Sequence, residues 1–409
     1  MATDTGTWWL PEASSVAIPG ELVTMNHEFP RLELDGHLLD WQDTAAVIWG
    51  ETGRGRRVTL LGCFQTSSDS MTSHVHVHVA LIGVHLASAE ERAFRRIDVG
   101  LSALTDYATR GQVNAALPQG IANPLCPGER LSLVNDDSEG VYLRVESGES
   151  RSWSGFGDTV QFVQDLLTLV GNADCRKDLP VLTTESGTRV DVKMKTEPVI
   201  RDHWYPTFLL KLDDLPTVLP TWLCLREKLE PSAAVLFSVD YGGPGYYQNK
   251  LFNVASAAEG FSNALFPDAT GIAPDSYAQL RQYLKKLPDK DARDWAFSMI
   301  KRNKPGFTAR MRMLLTLPDP AAVREVMADK EDLWAKWITQ ARNAISHSNY
   351  DDMKEIPPEI GQALLYVTKT LLHLVMLAEL DYLSPKQQQG VAALTHTVRR
   401  TPFTEYLPP

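Results

Sequence analysis

Three polar side chains near the C-terminal end of the chain have the types and spacing to act on a phosphodiester. They are Arg342, Asn343 and His347, in the run Arg342-Asn343-Ala344-Ile345-Ser346-His347. A guanidinium is planar and permanently charged, and it can grip phosphate oxygens with two parallel hydrogen bonds. An imidazole takes up and releases a proton near neutral pH. Asn343 and His347 stand four apart, so on a helix one lies a turn above the other. Arg342 and His347 stand five apart, about 140° around the axis. They converge only if the long Arg side chain swings across or the helix loosens near Ser346.

The element that must position this trio is itself readable. Trp334, Trp337, Ile338, Ala341 and Ile345 recur at spacings of three and four, which predicts a helix from about Lys330 to His347 with one apolar stripe facing a core. A polar loop follows at Asn349 to Pro358, with Tyr350 as a further candidate beside the trio. Pro358 suits the first turn of a second helix reaching Leu383. Its most apolar part, Ala363 to Leu380, is interrupted by Lys369, His373 and Glu379 and reads as a buried helix, with no membrane partner expected.

The Arg, polar residue, short spacer, His pattern, between upstream helices and a long apolar one, resembles the motif of the HEPN superfamily. These are all-helical domains that include many metal-independent ribonucleases. A helix C-terminus favours Arg and His near its last carbonyls in any case, so the six residues also fit a purely structural role.

Charge divides the chain. Over 409 residues the net charge is -11, which argues against a general nucleic-acid coat, and the length fits two or three domains. Residues 1–244 hold 20 Lys and Arg against 33 Asp and Glu, whereas residues 245–409 hold 20 against 18. Within the second part, Arg281 to Arg312 carries ten basic residues and three Asp. A polyanion would touch down there, with Lys301, Arg302, Lys304, Arg310 and Arg312 as the candidate RNA contacts. Cys63, Cys126, Cys175 and Cys224 form no C-x-x-C pair, and no secretion signal is read at the start, so a reducing cytoplasm is the expected location.

Residues 1–244 read as a β-rich domain. Gly20 to Met25, Leu32 to Leu34, Ala45 to Trp49, Val58 to Phe64, Val75 to Leu86 and Val141 to Val145 predict strands, with turn residues between them. A helix is predicted over Asp158 to Val170 and a closing strand over Val181 to Met194. The sum is an antiparallel β-sandwich-like or curved sheet. His74, His76 and His78 alternate with valines and so share one strand face; rings at i and i+4 sit roughly 13 Å apart, so only adjacent members could share an ion, with help from elsewhere, and a plain polar face is the favoured reading. No metal or cofactor is expected. Tyr241-Gly242-Gly243-Pro244-Gly245 lacks the Lys and Ser/Thr of a phosphate loop and reads as a linker. Residues 245–409 then predict a helical bundle: Leu251 to Phe266, Ser276 to Leu287, Asp289 to Lys301 with an Asp cap, Thr308 to Leu317, Ala321 to Asp329, and the two helices above. The fold class is therefore α+β.

The opening of the chain sharpens the resemblance. Gly6-Thr7-Trp8-Trp9-Leu10-Pro11, Pro19-Gly20-Glu21-Leu22, Leu32-Glu33-Leu34-Asp35-Gly36 and Val58-Thr59-Leu60-Leu61 resemble the ApeA N-terminal domain, found in front of a HEPN domain in bacterial proteins linked to phage defence. That resemblance implies a metal-independent endoribonuclease acting on tRNA or other host RNA. It implies Arg342, Asn343 and His347 as the site, a homodimer pairing two motif copies, and a front domain that senses a phage-derived trigger. The self-complementary surface of such a dimer is expected on Ala363 to Leu380. Two other functions remain compatible with the residues: a catalytically silent HEPN domain that binds nucleotide or RNA, and a ligand-sensing β-sandwich with a helical dimerisation module.

Overall fold

The computed structural model describes residues 1–25, 27–40, 43–68, 71–109, 117–136, 140–171, 174–196, 209–242, 245–346 and 358–381. The chain separates into two compact units, Met1–Cys224 and Leu225–Pro409. The class is α+β, an antiparallel β unit followed by a helical one.

The first unit begins with strands β1 (Ala2–Trp9), β2 (Ile18–Thr24), β3 (Arg31–Leu34), β4 (Thr44–Thr52), β5 (Arg57–Ser68) and β6 (Ser73–Ile82). They pair in the order β3-β2-β1-β4-β5-β6, and β3 also pairs with β6, so the six close into a ring. Alternation along each strand turns Trp8, Leu22, Leu32, Ile48, Leu60, Val75 and Val77 into the ring's core. Close packing leaves no room at Gly50, where an added Cβ would stand 2.1 Å from the Trp8 ring.

Beyond β6 the sheet continues open through β12 (Arg189–Met194), β11 (Val181–Thr184), β7 (Phe94–Gly100), β10 (Gly140–Arg151), β9 (Glu129–Asp136) and β8 (Ile121–Ala122). Every pairing among the described strands is antiparallel, as the turn spacing predicts. The strand expected over Val181 to Met194 is instead a hairpin, because Gly187 adopts φ +84 between β11 and β12. Helix α1 (Ser102–Thr109) and the largely buried α2 (Gly157–Gly171) complete this half, and Trp222 Nε1 donates to the Phe162 carbonyl of α2 at 2.6 Å.

Two helices precede residue 245: α3 (Leu215–Lys228), within which the division between units falls, and α4 (Ser232–Tyr241). The second unit continues with α5 (Tyr247–Leu265), α6 (Pro274–Lys285), α7 (Lys290–Met299), α8 (Phe307–Leu314), α9 (Pro320–Met327), α10 (Glu331–Ser346) and α11 (Pro358–Glu379). Asp289 caps α7 by accepting from the Asp291 and Ala292 amides at 2.8 and 3.0 Å, and Asp319 caps α9 likewise. Helix α5 lies at the centre, packed by α4, α8, α10 and α11. Its contact with α4 is so close that a Cβ on Gly260 would stand 1.7 Å from Ser232 Oγ.

Ile360–Glu379 is long and apolar enough to cross a membrane, yet 83% of it is buried inside the unit, so it is a core helix as its interrupting charges predict. Most of this stripe covers the core of its own unit. Tyr366 is its one large apolar side chain exposed among the described residues.

Candidate active site

Helix α10 starts with Glu331 and Asp332, whose charges suit the positive end of the helix dipole. It buries Trp334, Ala335, Ile338, Ala341 and Ala344, while Trp337 and Ile345 fall at the edge of that stripe. Trp334 Nε1 donates to Thr368 Oγ1 of α11 at 2.9 Å, fixing the rotation of α10 about its axis. Its last turn is tied back where Ser346 Oγ donates to the Arg342 carbonyl at 2.7 Å. With that rotation set, Arg342 lies half-buried and Asn343 exposed. His347, Tyr350, Asp351 and Asp352 lie outside the described residues.

Arg342 is held on three sides. Its Nη2 donates to Glu259 Oε2 of α5 at 3.2 Å, its Nη1 to Asn343 Oδ1 at 3.3 Å, and its guanidinium carbon sits 5.6 Å from the centre of the Phe307 ring. The same Glu259 accepts from Arg310 Nη2 through Oε1 at 2.6 Å. Arg310 also stands over Phe307, at 5.9 Å, and donates to Asn263 Oδ1 at 3.1 Å. Two guanidiniums thus share one carboxylate and one ring. The trio carries a net charge of +1, and the Nε of each arginine is buried without a hydrogen-bond partner among the described residues. This is a cluster with donor capacity and positive charge to spare.

Beside it, Asn343 opens onto a groove of about 780 Å³ between α8 and α10, bordered also by Lys336, Thr339, Gln340, Thr308 and Arg312. Arg312 Nε donates to Asp332 Oδ1 at 2.8 Å along that border. Among the other cationic candidates, Arg310 is not a free surface charge, with a side chain only 16% exposed and its pairing to Glu259. Lys301, Arg302 and Lys304 are exposed on the segment leading from α7 into α8, and Lys304 Nζ donates to the Pro267 carbonyl.

Glu259, Asn263 and Phe307 escape the sequence reading. Glu259 is an isolated carboxylate in a small-residue stretch, Ala257-Ala258-Glu259-Gly260, where the lack of any nearby cation in sequence is the one available signal.

The histidine row of β6 faces outward while Val75, Val77 and Val79 are fully buried. His76 lies between Phe64 and Phe29, at 4.4 and 4.6 Å between ring centres. Desolvation, with His78 adding to it, pushes the His76 pKa down. Among the described residues no three His, Cys, Asp or Glu side chains are placed to hold a metal ion.

Two family models match the chain: ApeA N-terminal domain 1 over residues 5–123, and Apea-like HEPN over residues 252–384. No curated protein and no solved structure matches it. HEPN domains are generally ribonucleases, and the second match spans Glu259, Arg310, Arg342 and Asn343. With these two domains in this order, the chain is an ApeA-like protein.

Proposed function

We propose that the helical unit is a metal-independent endoribonuclease that cuts tRNA or other host RNA during bacterial defence against phage. The observation that carries this reading is the Arg342 guanidinium, held by Glu259 and Phe307 with charge to spare and hydrogen-bonded to Asn343, which itself borders an open groove. In an RNA substrate the 2′-hydroxyl attacks the adjacent phosphorus and the bond to the 5′-oxygen breaks. The products are a 2′,3′-cyclic phosphate and a 5′-hydroxyl, with one proton moved and no water consumed. Arg342 stabilises the charge growing on the phosphate oxygens. His347 transfers the proton, a role worth roughly 10²- to 10⁴-fold. Asn343 orients the phosphate or His347.

One Arg and one His per chain are few groups for two proton transfers, so the working particle is a homodimer that pairs two copies of the motif. The β unit, at a balance of -13 over residues 1–244, is a poor partner for a polyanion and serves to restrain the nuclease until a phage-derived trigger arrives. The reaction needs no metal or other cofactor and runs in the cytoplasm.

Purified protein incubated with total tRNA in EDTA should release fragments ending in a cyclic phosphate. Arg342→Ala and His347→Ala should each lower the rate at least a hundredfold. Cleavage that requires magnesium, or that survives in either variant, would overturn the mechanism. RNA binding without any cleavage would favour the catalytically silent reading, which Glu259 also fits because it already occupies part of Arg342.

A further inference from the structure

Helices α6 and α7 bury nothing. Neither contributes a buried residue to the unit, although every helix around them in the bundle does. Helices of 12 and 10 residues are marginal in water by themselves, so something must hold this pair. Part of the answer is an inner seam: the Arg281 guanidinium lies 5.8 Å from the Tyr277 ring and 5.7 Å from the Phe297 ring, joining the two helices by cation–π contact. A clasp at the base supplies the rest. Asn303 accepts from the Ile272 amide through Oδ1 at 3.0 Å and donates to the Ile272 carbonyl through Nδ2 at 2.8 Å. The result is an arm with a fixed stem.

The exposed side chains of this arm are unusual for a surface. Trp295 is 67% exposed, Tyr283 69% and Met299 68%, with Trp295 and Met299 one turn apart on α7. Around them, residues 274–304 carry eight Lys and Arg against four Asp in a chain whose net charge is -11. Lys285, Lys286, Lys290, Lys301 and Arg302 are all exposed. Flat aromatic rings interleaved with mobile cations match single-stranded nucleic acid, whose bases stack on rings while its phosphates take the cations. A protein partner of the apolar kind would pair poorly with so many lysines. The clasp residue Asn303 also lies four residues before Phe307, the ring that supports Arg342 and Arg310. A strand laid along the arm is therefore led toward the arginine cluster.

We infer that the α6–α7 arm is a docking site for unpaired RNA, with Trp295 and Tyr283 as stacking platforms and Lys285, Lys286 and Lys290 as phosphate contacts. This rests on the reading of RNA as substrate and deepens it: the arm selects loops and single-stranded stretches over duplex.

The test uses the full chain and a short fluorescein-labelled oligoadenylate with 2′-O-methyl sugars, which bind without supplying the attacking hydroxyl. Anisotropy is followed across a salt series. Trp295→Ala and Tyr283→Ala should each weaken binding about tenfold, the size expected of one lost stacked base. Lys285→Gln with Lys286→Gln should flatten the dependence of log affinity on log salt by about 1.4, at about 0.7 per lost contact. In cleavage assays the same variants should raise KM and leave kcat unchanged, since none is placed in the reacting cluster. Unchanged affinity and slope in all of them, or an oligonucleotide that fails to bind the wild type, would overturn the arm. So would unchanged affinity accompanied by dissociation of a dimer in sedimentation, which would make the face a contact between two copies of this chain. The nuclease reading stands or falls separately: wild-type protein that cuts no RNA while the arm variants still lose affinity would sink the nuclease and keep the arm.

Discussion

Glu259 Oε2 lies 3.2 Å from Arg342 Nη2, and the other oxygen of the same carboxylate holds Arg310 at 2.6 Å. A carboxylate that bridges two arginines can aim one of them at a phosphate, but it also competes for the donors that the phosphate would use. Glu259→Gln separates these roles. Removing the negative charge raises the local charge from +1 to +2, so RNA should bind at least as tightly. The amide keeps one acceptor oxygen and turns an NH2 toward the other guanidinium; Arg342, with the longer contact of 3.2 Å against 2.6 Å, is the one to lose its aim, and kcat should fall about tenfold. A lower kcat with an unchanged KM marks an interaction made only in the transition state, whereas a KM that falls with kcat marks relief of ground-state strain. An unchanged kcat would show that Glu259 does not position Arg342.

Gly260 follows Glu259, and its lack of a side chain lets α4 approach α5. Alanine is ordinarily favoured over glycine in a helix by roughly 1 kcal/mol. Here the added Cβ would stand 1.7 Å from Ser232 Oγ and 2.6 Å from Ser232 Cβ, and the hydroxyl can rotate away while the Cβ cannot. Overpacking should win, so Gly260→Ala should destabilise by about 1 to 3 kcal/mol in urea unfolding. Ser232→Gly in the same chain should restore most of the loss. Equal stability of Gly260→Ala and wild type would mean the two helices pack more loosely.

His373 is fully enclosed in α11, stacked 6.1 Å from the Phe237 ring, with no hydrogen-bond partner for either ring nitrogen among the described residues. Burial, and secondarily the Lys369 ammonium, push its pKa down to about 4, against the opposing pull of Asp240. Between pH 6.5 and 4 the unfolded chain therefore binds a proton that the folded chain refuses, so stability should fall as pH falls through that window. The full effect is roughly 3 kcal/mol at about 1.4 per pH unit. His373→Leu should remove this part of the slope. A stability difference between variant and wild type that stays constant from pH 7 to about 4 would contradict it.

Thiol reactivity should follow burial. Cys63 and Cys175 are enclosed, and desolvation raises both to about 12, whereas Cys224 is exposed. Iodoacetamide at pH 8 should label Cys224 first and Cys63 and Cys175 only after unfolding, as read by peptide mass. Labelling of Cys175 in the folded protein would place it nearer the surface.

Much of this architecture can be read from periodicity, and the failures have physical causes. Ser73 to Val79 alternates cleanly because one face of β6 fills the ring, while Val58 to Leu61 and Val79 to Ile82 are mostly apolar runs buried on both faces, and both patterns make β5 and β6 legible. Asp289 announces its cap. Helix α4 is not legible, since Ser232 to Tyr241 is apolar nearly all round and shows no stripe, and α3 is obscured by Pro216 and Pro220. At the candidate site, Arg342 and Asn343 stand out through a local pattern, because both sit on one helix. Glu259 and Phe307 belong to other helices, 83 and 35 residues away in sequence, and only packing brings them to Arg342. The same holds for the arm: its basic run is visible in the sequence, but the exposure of Trp295 is not, since an aromatic at helical spacing reads equally well as core.

The pairing of β3 with β6 gives the first six strands neither a first nor a last member. A closed ring offers no row of unsatisfied amides and carbonyls to a visiting strand, which protects it from templated aggregation. Among the described strands, the last member of the sheet is the two-residue β8, which leaves part of β9 uncovered, and within the ring β1 runs past β4 over Ala2–Thr5. Edge-to-edge growth of this unit is thereby confined to a few short stretches of backbone.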